Sequence, residues 1–354
     1  RPPGDLAAYA ITTGRRMRRR RRVVTALGAV VAVAALAAPF VWLRPDAGPP
    51  VAGPAPTPTG SGPTASAGPV LPASEGNWRD APLELPGGWV VTGATSTGLP
   101  ARGGFVLDRD HDRYVEVDDA YEEVWTAPAG QVAAVRDYDR PQETGLLDVS
   151  SGRVRWFRTG QPILNPTWSP DGKRLALTIL DKETASFALG VLGVDGSFRT
   201  FPVDASGKYL CTDYCLFTWT PDGRQVVLQQ TDPAAPRSES EPHARRGLQL
   251  FSADTAAPAR FVPVRGDAGG PFSWSPDGKL VVVKGQQAAQ LVEVDTGRVL
   301  NELPSPDMVF VAADRLLLVG RDGEAALTDL TGRVLERQAL PSELTGMLVA
   351  VGPR

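Results

Sequence analysis

Few residues in this 354-residue chain are of the types that do chemistry. Two His and two Cys exclude a His-rich metal site and a Cys₄ zinc site. The densest polar pattern is Asp108-Arg109-Asp110-His111-Asp112, which alternates acids as calcium loops do and makes Asp108, Asp110 and Asp112 the candidate metal ligands. The sixth position of such a loop needs Gly for its sharp turn, and here it is Arg113. The competing reading is a polar hairpin tip between strands at 105–107 and 114–117. Cys211 and Cys215 bracket a three-residue turn, one residue longer than a redox Cys-x-x-Cys. They are candidates for a disulfide, with free thiols or a metal pair as alternatives. His111 and His243 lie apart in polar stretches. No Gly-x-Ser-x-Gly elbow and no Gly-rich phosphate loop occurs, so no catalytic residue and no cofactor is assigned.

What would position such residues is read from internal repeats. Three segments align: Thr167-Trp168-Ser169-Pro170-Asp171-Gly172-Lys173, Thr218-Trp219-Thr220-Pro221-Asp222-Gly223-Arg224 and Ser273-Trp274-Ser275-Pro276-Asp277-Gly278-Lys279. A weaker copy surrounds Trp125. Each leads into a β-rich run. Pro presets φ at the first corner of a turn, Asp bonds its own backbone, and Gly takes the left-handed position that closes a hairpin. The Trp before them suits packing between sheets. A second tight turn recurs at Ser151-Gly152-Arg153, Thr296-Gly297-Arg298 and Thr331-Gly332-Arg333, with a shorter copy at Asp195-Gly196-Ser197. Each unit thus holds about four short strands, and units begin near Trp89, Trp125, Trp168, Trp219, Trp274 and Val309. The expected fold is all-β: a six-bladed β-propeller over 83–354, five or seven blades being the alternatives, with 346–351 supplying a closing strand beside the first blade. Residues 232–246 form a long polar insertion in the fourth unit, either a recognition loop or a plain surface loop.

The Trp-[Ser/Thr]-Pro-Asp-Gly-[Lys/Arg] hairpins resemble the TolB-type, WD-repeat-like propeller repeats of bacterial envelope proteins, over roughly 84–351. That resemblance implies a binding platform for proteins, peptides or envelope polymers, and it carries over no catalytic residue.

The amino-terminal part predicts a place for the platform. Seven Arg between Arg15 and Arg22 precede 21 uncharged residues, 23–43, long enough to cross a bilayer as one helix. The basic flank stays in the cytoplasm, so residues 1–22 are read as a cytoplasmic tail and the rest as extracytoplasmic. The rival reading is a cleaved signal peptide around Ala35-Leu36-Ala37 and a secreted product. Residues 44–82 read as a linker; nine of the 28 residues in 45–72 are Pro, a composition that cannot build a core. An exported position favours the Cys211–Cys215 disulfide. Residues 45–354 hold 28 Lys and Arg against 39 Asp and Glu, so nucleic acid is not an expected partner.

The order of Arg run, apolar span, Pro-rich stalk and exported domain is similar to that of membrane proteins that accompany extracytoplasmic-function sigma factors in high-GC Gram-positive bacteria. That makes a sigma factor an alternative partner and signalling an alternative function, although the tail lacks the zinc-binding His/Cys pattern of the best-known anti-sigma domains. A third alternative is a glycan-acting enzyme, which would need two carboxylates facing one another across the propeller channel.

Overall fold

A computed structural model describes residues 70–71, 77–96, 103–117, 121–160, 163–181, 186–213, 215–237 and 242–354. The span at 23–43 and the tail at 1–22 lie outside them. Among the described residues, no helix is long and apolar enough to cross a membrane.

The chain forms a six-bladed β-propeller. Five blades are built from consecutive antiparallel strands. The second blade has Glu123–Thr126, Val132–Arg136, Glu143–Asp148 and Val154–Arg158; the third has Ile163–Trp168, Arg174–Asp181, Ser186–Gly193 and Phe198–Pro202. The fourth has Thr218–Trp219, Gln225–Thr231, Arg245–Ser252 and Pro258–Val262; the fifth has Asp267–Ala268, Leu280–Lys284, Ala289–Glu293 and Val299–Leu303. The sixth has Val309–Ala312, Arg315–Val319, Glu324–Thr328 and Val334–Ala339.

The first blade is the exception that closes the ring. Trp89–Thr95, Gly104–Asp108 and Arg113–Val117 pair in order, and the carboxyl-terminal strand Leu348–Pro353 runs antiparallel to Trp89–Thr95 in the innermost position. Trp89 therefore opens the second strand of its blade, whereas Trp125, Trp168 and Trp219 sit in innermost strands. The strand foreseen at 346–351 does close the ring. At the other end of the chain, Val70–Leu71 pairs parallel with the outer strand of the sixth blade, Val70 opposite Arg337 and Leu71 opposite Gln338. That short strand lies inside the Pro-rich stretch read as linker.

The buried apolar residues divide into six clusters, one at each seam between neighbouring blades. Ala127, Ala134 and Leu146 of the second blade meet Trp168, Leu175 and Leu192 of the third. Leu317 and Ala325 of the sixth meet Trp89, Val91 and Leu107 of the first. Second strands are consequently covered on both faces: Val226, Val227 and Leu228 are all essentially inaccessible. This explains why the strands read as continuous apolar runs rather than as alternating ones.

The recurring hairpin has the same wiring in each clear copy. Ser169 Oγ donates to Asp171 Oδ1 at 2.6 Å and accepts from Arg174 N at 2.9 Å, while Lys173 N donates to Asp171 Oδ1 at 3.1 Å. Thr220 and Asp222 repeat this in the fourth blade, and Ser275 and Asp277 in the fifth. The Ser or Thr after the Trp is therefore a working part of the turn, joining the Asp to the next strand. The glycine closes it at positive φ: +66° at Gly172, +65° at Gly223 and +70° at Gly278. Successive turns also lean on one another. A Cβ on Gly172 would lie 2.1 Å from the carbonyl oxygen of Ala129 in the preceding blade, and one on Gly223 would lie 3.2 Å from Pro170.

Candidate functional site

The polar features that sequence reading treated separately meet at two places. One is the acidic run. Asp108 ends the third strand of the first blade and is 1% exposed. Its carboxylate accepts from Gln131 Nε2 at 2.9 Å and from Asp110 N at 3.2 Å, and lies 2.7 Å from His111 Nδ1. Burial pushes its pKa up, but the His111 and Gln131 hydrogen bonds outweigh this and hold it below the usual carboxylate range. Asp110 instead accepts from Ser150 Oγ at 2.8 Å. Asp112 takes the left-handed turn position with φ +49°. Arg109 reaches the carbonyls of Pro128 and Pro353, both at 2.9 Å. The run is thus a hairpin tip that fastens the first blade to the second and to the closing strand. Among the described residues no group of three or more His, Cys, Asp or Glu is placed to hold a metal ion, and Asp108 and Asp110 each accept hydrogen bonds at this tip.

The second place is in the fourth blade and reaches its seam with the fifth. Cys211 and Cys215 are disulfide-bonded and buried in the core cluster between the third and fourth blades. The short loop they close projects Thr212 and Asp213 toward the 232–244 insertion. Thr212 Oγ1 lies 2.7 Å from His243 Nδ1, and His243 N donates to Asp213 Oδ2 at 2.8 Å. The insertion ends at a β-bulge, where the register between the second and third strands slips beside Thr231 and Arg245. There Arg245 begins the third strand with its side chain 4% exposed.

Arg245 is the hub of this site. Its Nε and Nη2 donate to the two oxygens of Asp267, at 2.6 and 3.1 Å, and its Nη1 donates to Asp213 Oδ1 at 2.5 Å. Burial disfavours its charge, but hydrogen bonds and attraction from Asp267 and Asp213 more than compensate and raise its pKa. A guanidinium suits this position because its planar fork satisfies one carboxylate bidentately and still has a donor for another. The result is one fastened unit: disulfide turn, insertion and the first strand of the next blade.

Beside this unit is a cleft of about 480 Å³. Its walls include Asp232 and His243 from the insertion, Arg265 from the link between blades, and Lys284, Gln286 and Gln290 from the fifth blade. The volume falls in the range of small-ligand and peptide-segment sites, roughly 300–1,000 Å³. Within the fourth blade, the insertion joins the second and third strands, so it lies at the opposite end of the sheet from the Trp219 hairpin, which joins the first and second. The sequence flagged the disulfide and the insertion, but not Arg245, Asp213 or Asp267. An isolated Arg at the end of a polar loop carries no signal that it will be buried.

No protein-family model matches this sequence, and no curated protein matches it. Among solved structures, the crystal structure of TolB from Acinetobacter baumannii is similar, with 18% sequence identity and a TM-score of 0.47, covering 76% of this chain and 68% of that one. At that level the likeness carries no argument about function, and the assignment of six blades rests on the strand pairing itself.

Proposed function

We propose that this chain is a membrane-anchored, extracytoplasmic binding platform: a propeller held out from the membrane that engages an envelope protein or polymer. The observation that carries the reading is the fastened insertion on the seam between the fourth and fifth blades. A rigid ring with one long loop, ordered at both ends by a disulfide turn and a buried ion-pair network beside an open cleft, is built to present a surface. The basic flank and the uncharged span at 23–43 supply the anchor, and the acidic composition of 45–354 suits an extracytoplasmic domain that does not bind nucleic acid.

The test is cross-linking of the tagged full chain in its own cells, followed by mass spectrometry. Envelope proteins or polymers linked within 232–287 are the expected result. A transcription factor linked near residues 1–22, with nothing on the propeller, would replace this reading with signalling through a sigma factor.

A further inference from the structure

The cleft contains two cations whose natural partner has been taken. Asp267 and Lys284 are register partners on the first two strands of the fifth blade, so their side chains leave the sheet on the same face. An ion pair between them would be ordinary, yet both oxygens of Asp267 accept from Arg245. Lys284 is exposed and meets no carboxylate or other acceptor among the described residues. Arg265, two positions before Asp267 in the same wall, is likewise exposed and without an acceptor among the described residues. The other acid of the cleft, Asp232, caps its own loop by accepting from Ala234 N at 3.0 Å. These unpaired cations belong to a region, 45–354, that has 39 acidic against 28 basic residues.

We infer that the cleft between the fourth and fifth blades recognises an acidic peptide segment, an inference that rests on the binding-platform reading. Arg265 and Lys284 pair with carboxylates of that segment. The amides of Gln286, Gln287 and Gln290, which can both donate and accept, take up its backbone groups. Arg245 is a positioning residue: it removes Asp267 from competition and fixes the insertion that forms the facing wall. The acidic surroundings repel acidic chains elsewhere on the domain, so the same charges that admit a ligand here exclude it from neighbouring surface.

The test is selection of phage-displayed random peptides on the full chain in detergent, in parallel with the R265S/K284S double variant. Both side chains are exposed, so the variant is expected to melt at the wild-type temperature. Wild type is expected to enrich peptides rich in Asp and Glu that the double variant fails to hold. A selected acidic peptide should weaken about tenfold with each single substitution, and further as salt is raised. Enrichment of peptides without acids, or equal binding to the double variant, overturns this inference and leaves the platform reading standing. Displacement of a selected peptide by inorganic phosphate at constant ionic strength overturns it as well, by reassigning the cations to phosphate. If no peptide is enriched the inference also falls, and the platform reading is then decided independently by the in-cell cross-links.

Discussion

At the scale of single residues, identical types are under different constraints. Trp168 and Trp219 each donate an indole N–H across a seam, to Trp125 O at 2.9 Å and to Thr167 O at 2.8 Å. Trp274 fills the matching place in the fifth blade, but its buried N–H finds no acceptor among the described residues. There the innermost strand shrinks to Asp267–Ala268, and Trp274 joins the sheet through one bridge to Val281. Trp219→Phe should therefore cost about 1 kcal/mol more than Trp274→Phe, because only the former breaks a hydrogen bond. Urea unfolding of the two variants checks this, and equal losses would show that the bond has no net effect.

The turn carboxylates give a pH dependence with a definite sign. The Ser275 hydroxyl and the Lys279 N–H hold Asp277 below the usual carboxylate range. At Asp171 burial pushes upward, but the Ser169 hydroxyl and Lys173 N–H outweigh it. The Thr331 hydroxyl is the leading cause that brings Asp329 to about 2. A carboxyl whose pKa is depressed by folding contributes stability above its unfolded pKa, and that contribution is lost as pH falls through the folded one. The domain should accordingly lose stability from about pH 4, where free Asp titrates, down to about 2. Unfolding midpoints measured across that interval should fall less steeply in Asp329→Asn than in wild type.

At the scale of elements, the turn motif was legible because its determinants are local. Pro, Asp and Gly at fixed offsets specify a hairpin wherever they occur, and the structure places one at each clear copy. How hard each turn presses on its neighbour was not legible. Gly172 and Gly278 have nearly the same φ, but a Cβ would lie 2.1 Å from a backbone oxygen at the first and 3.9 Å from a proline side chain at the second. Gly278→Ala should cost about 1–2 kcal/mol, the left-handed penalty alone. Gly172→Ala should cost clearly more, since a backbone must also move. Thermal melts of the pair measure the difference, and equal shifts would contradict a close contact between blades.

The disulfide turn belongs to the same scale. Its loop is small, so entropy limits its stabilisation to about 2 kcal/mol. Its larger consequence is local, because it holds Thr212 and Asp213 against the insertion. The double variant Cys211→Ser with Cys215→Ser should stay folded at moderate temperature while protease cleavage within 232–244 accelerates. Unchanged cleavage would mean that the ion pairs alone secure the loop. The acidic run shows the opposite limit of sequence reading. Alternating acids looked like ligands, but Asp108 serves 110 and 111 of its own hairpin and also Gln131, which only the meeting of two blades supplies.

At the scale of the whole molecule, six seams carry the core and the last strand closes the ring against the first blade. Repeat counting could reach this architecture because each unit announces itself by its turn. The pairing of Val70–Leu71 with the sixth blade was out of reach, since two apolar residues among prolines show no strand period. So was the cleft, whose residues come from separate segments of two blades and meet through a bulge and a disulfide.

We propose that this ring presents one working surface, on the seam between its fourth and fifth blades. The most direct measurement is photo-cross-linking in cells, with a photoreactive amino acid placed at Gln287 in the cleft or at Lys173 in the hairpin of the third blade. Both positions are exposed. A discrete adduct is expected from position 287 and none from 173. An adduct from 173 alone, or none from either position, would contradict it.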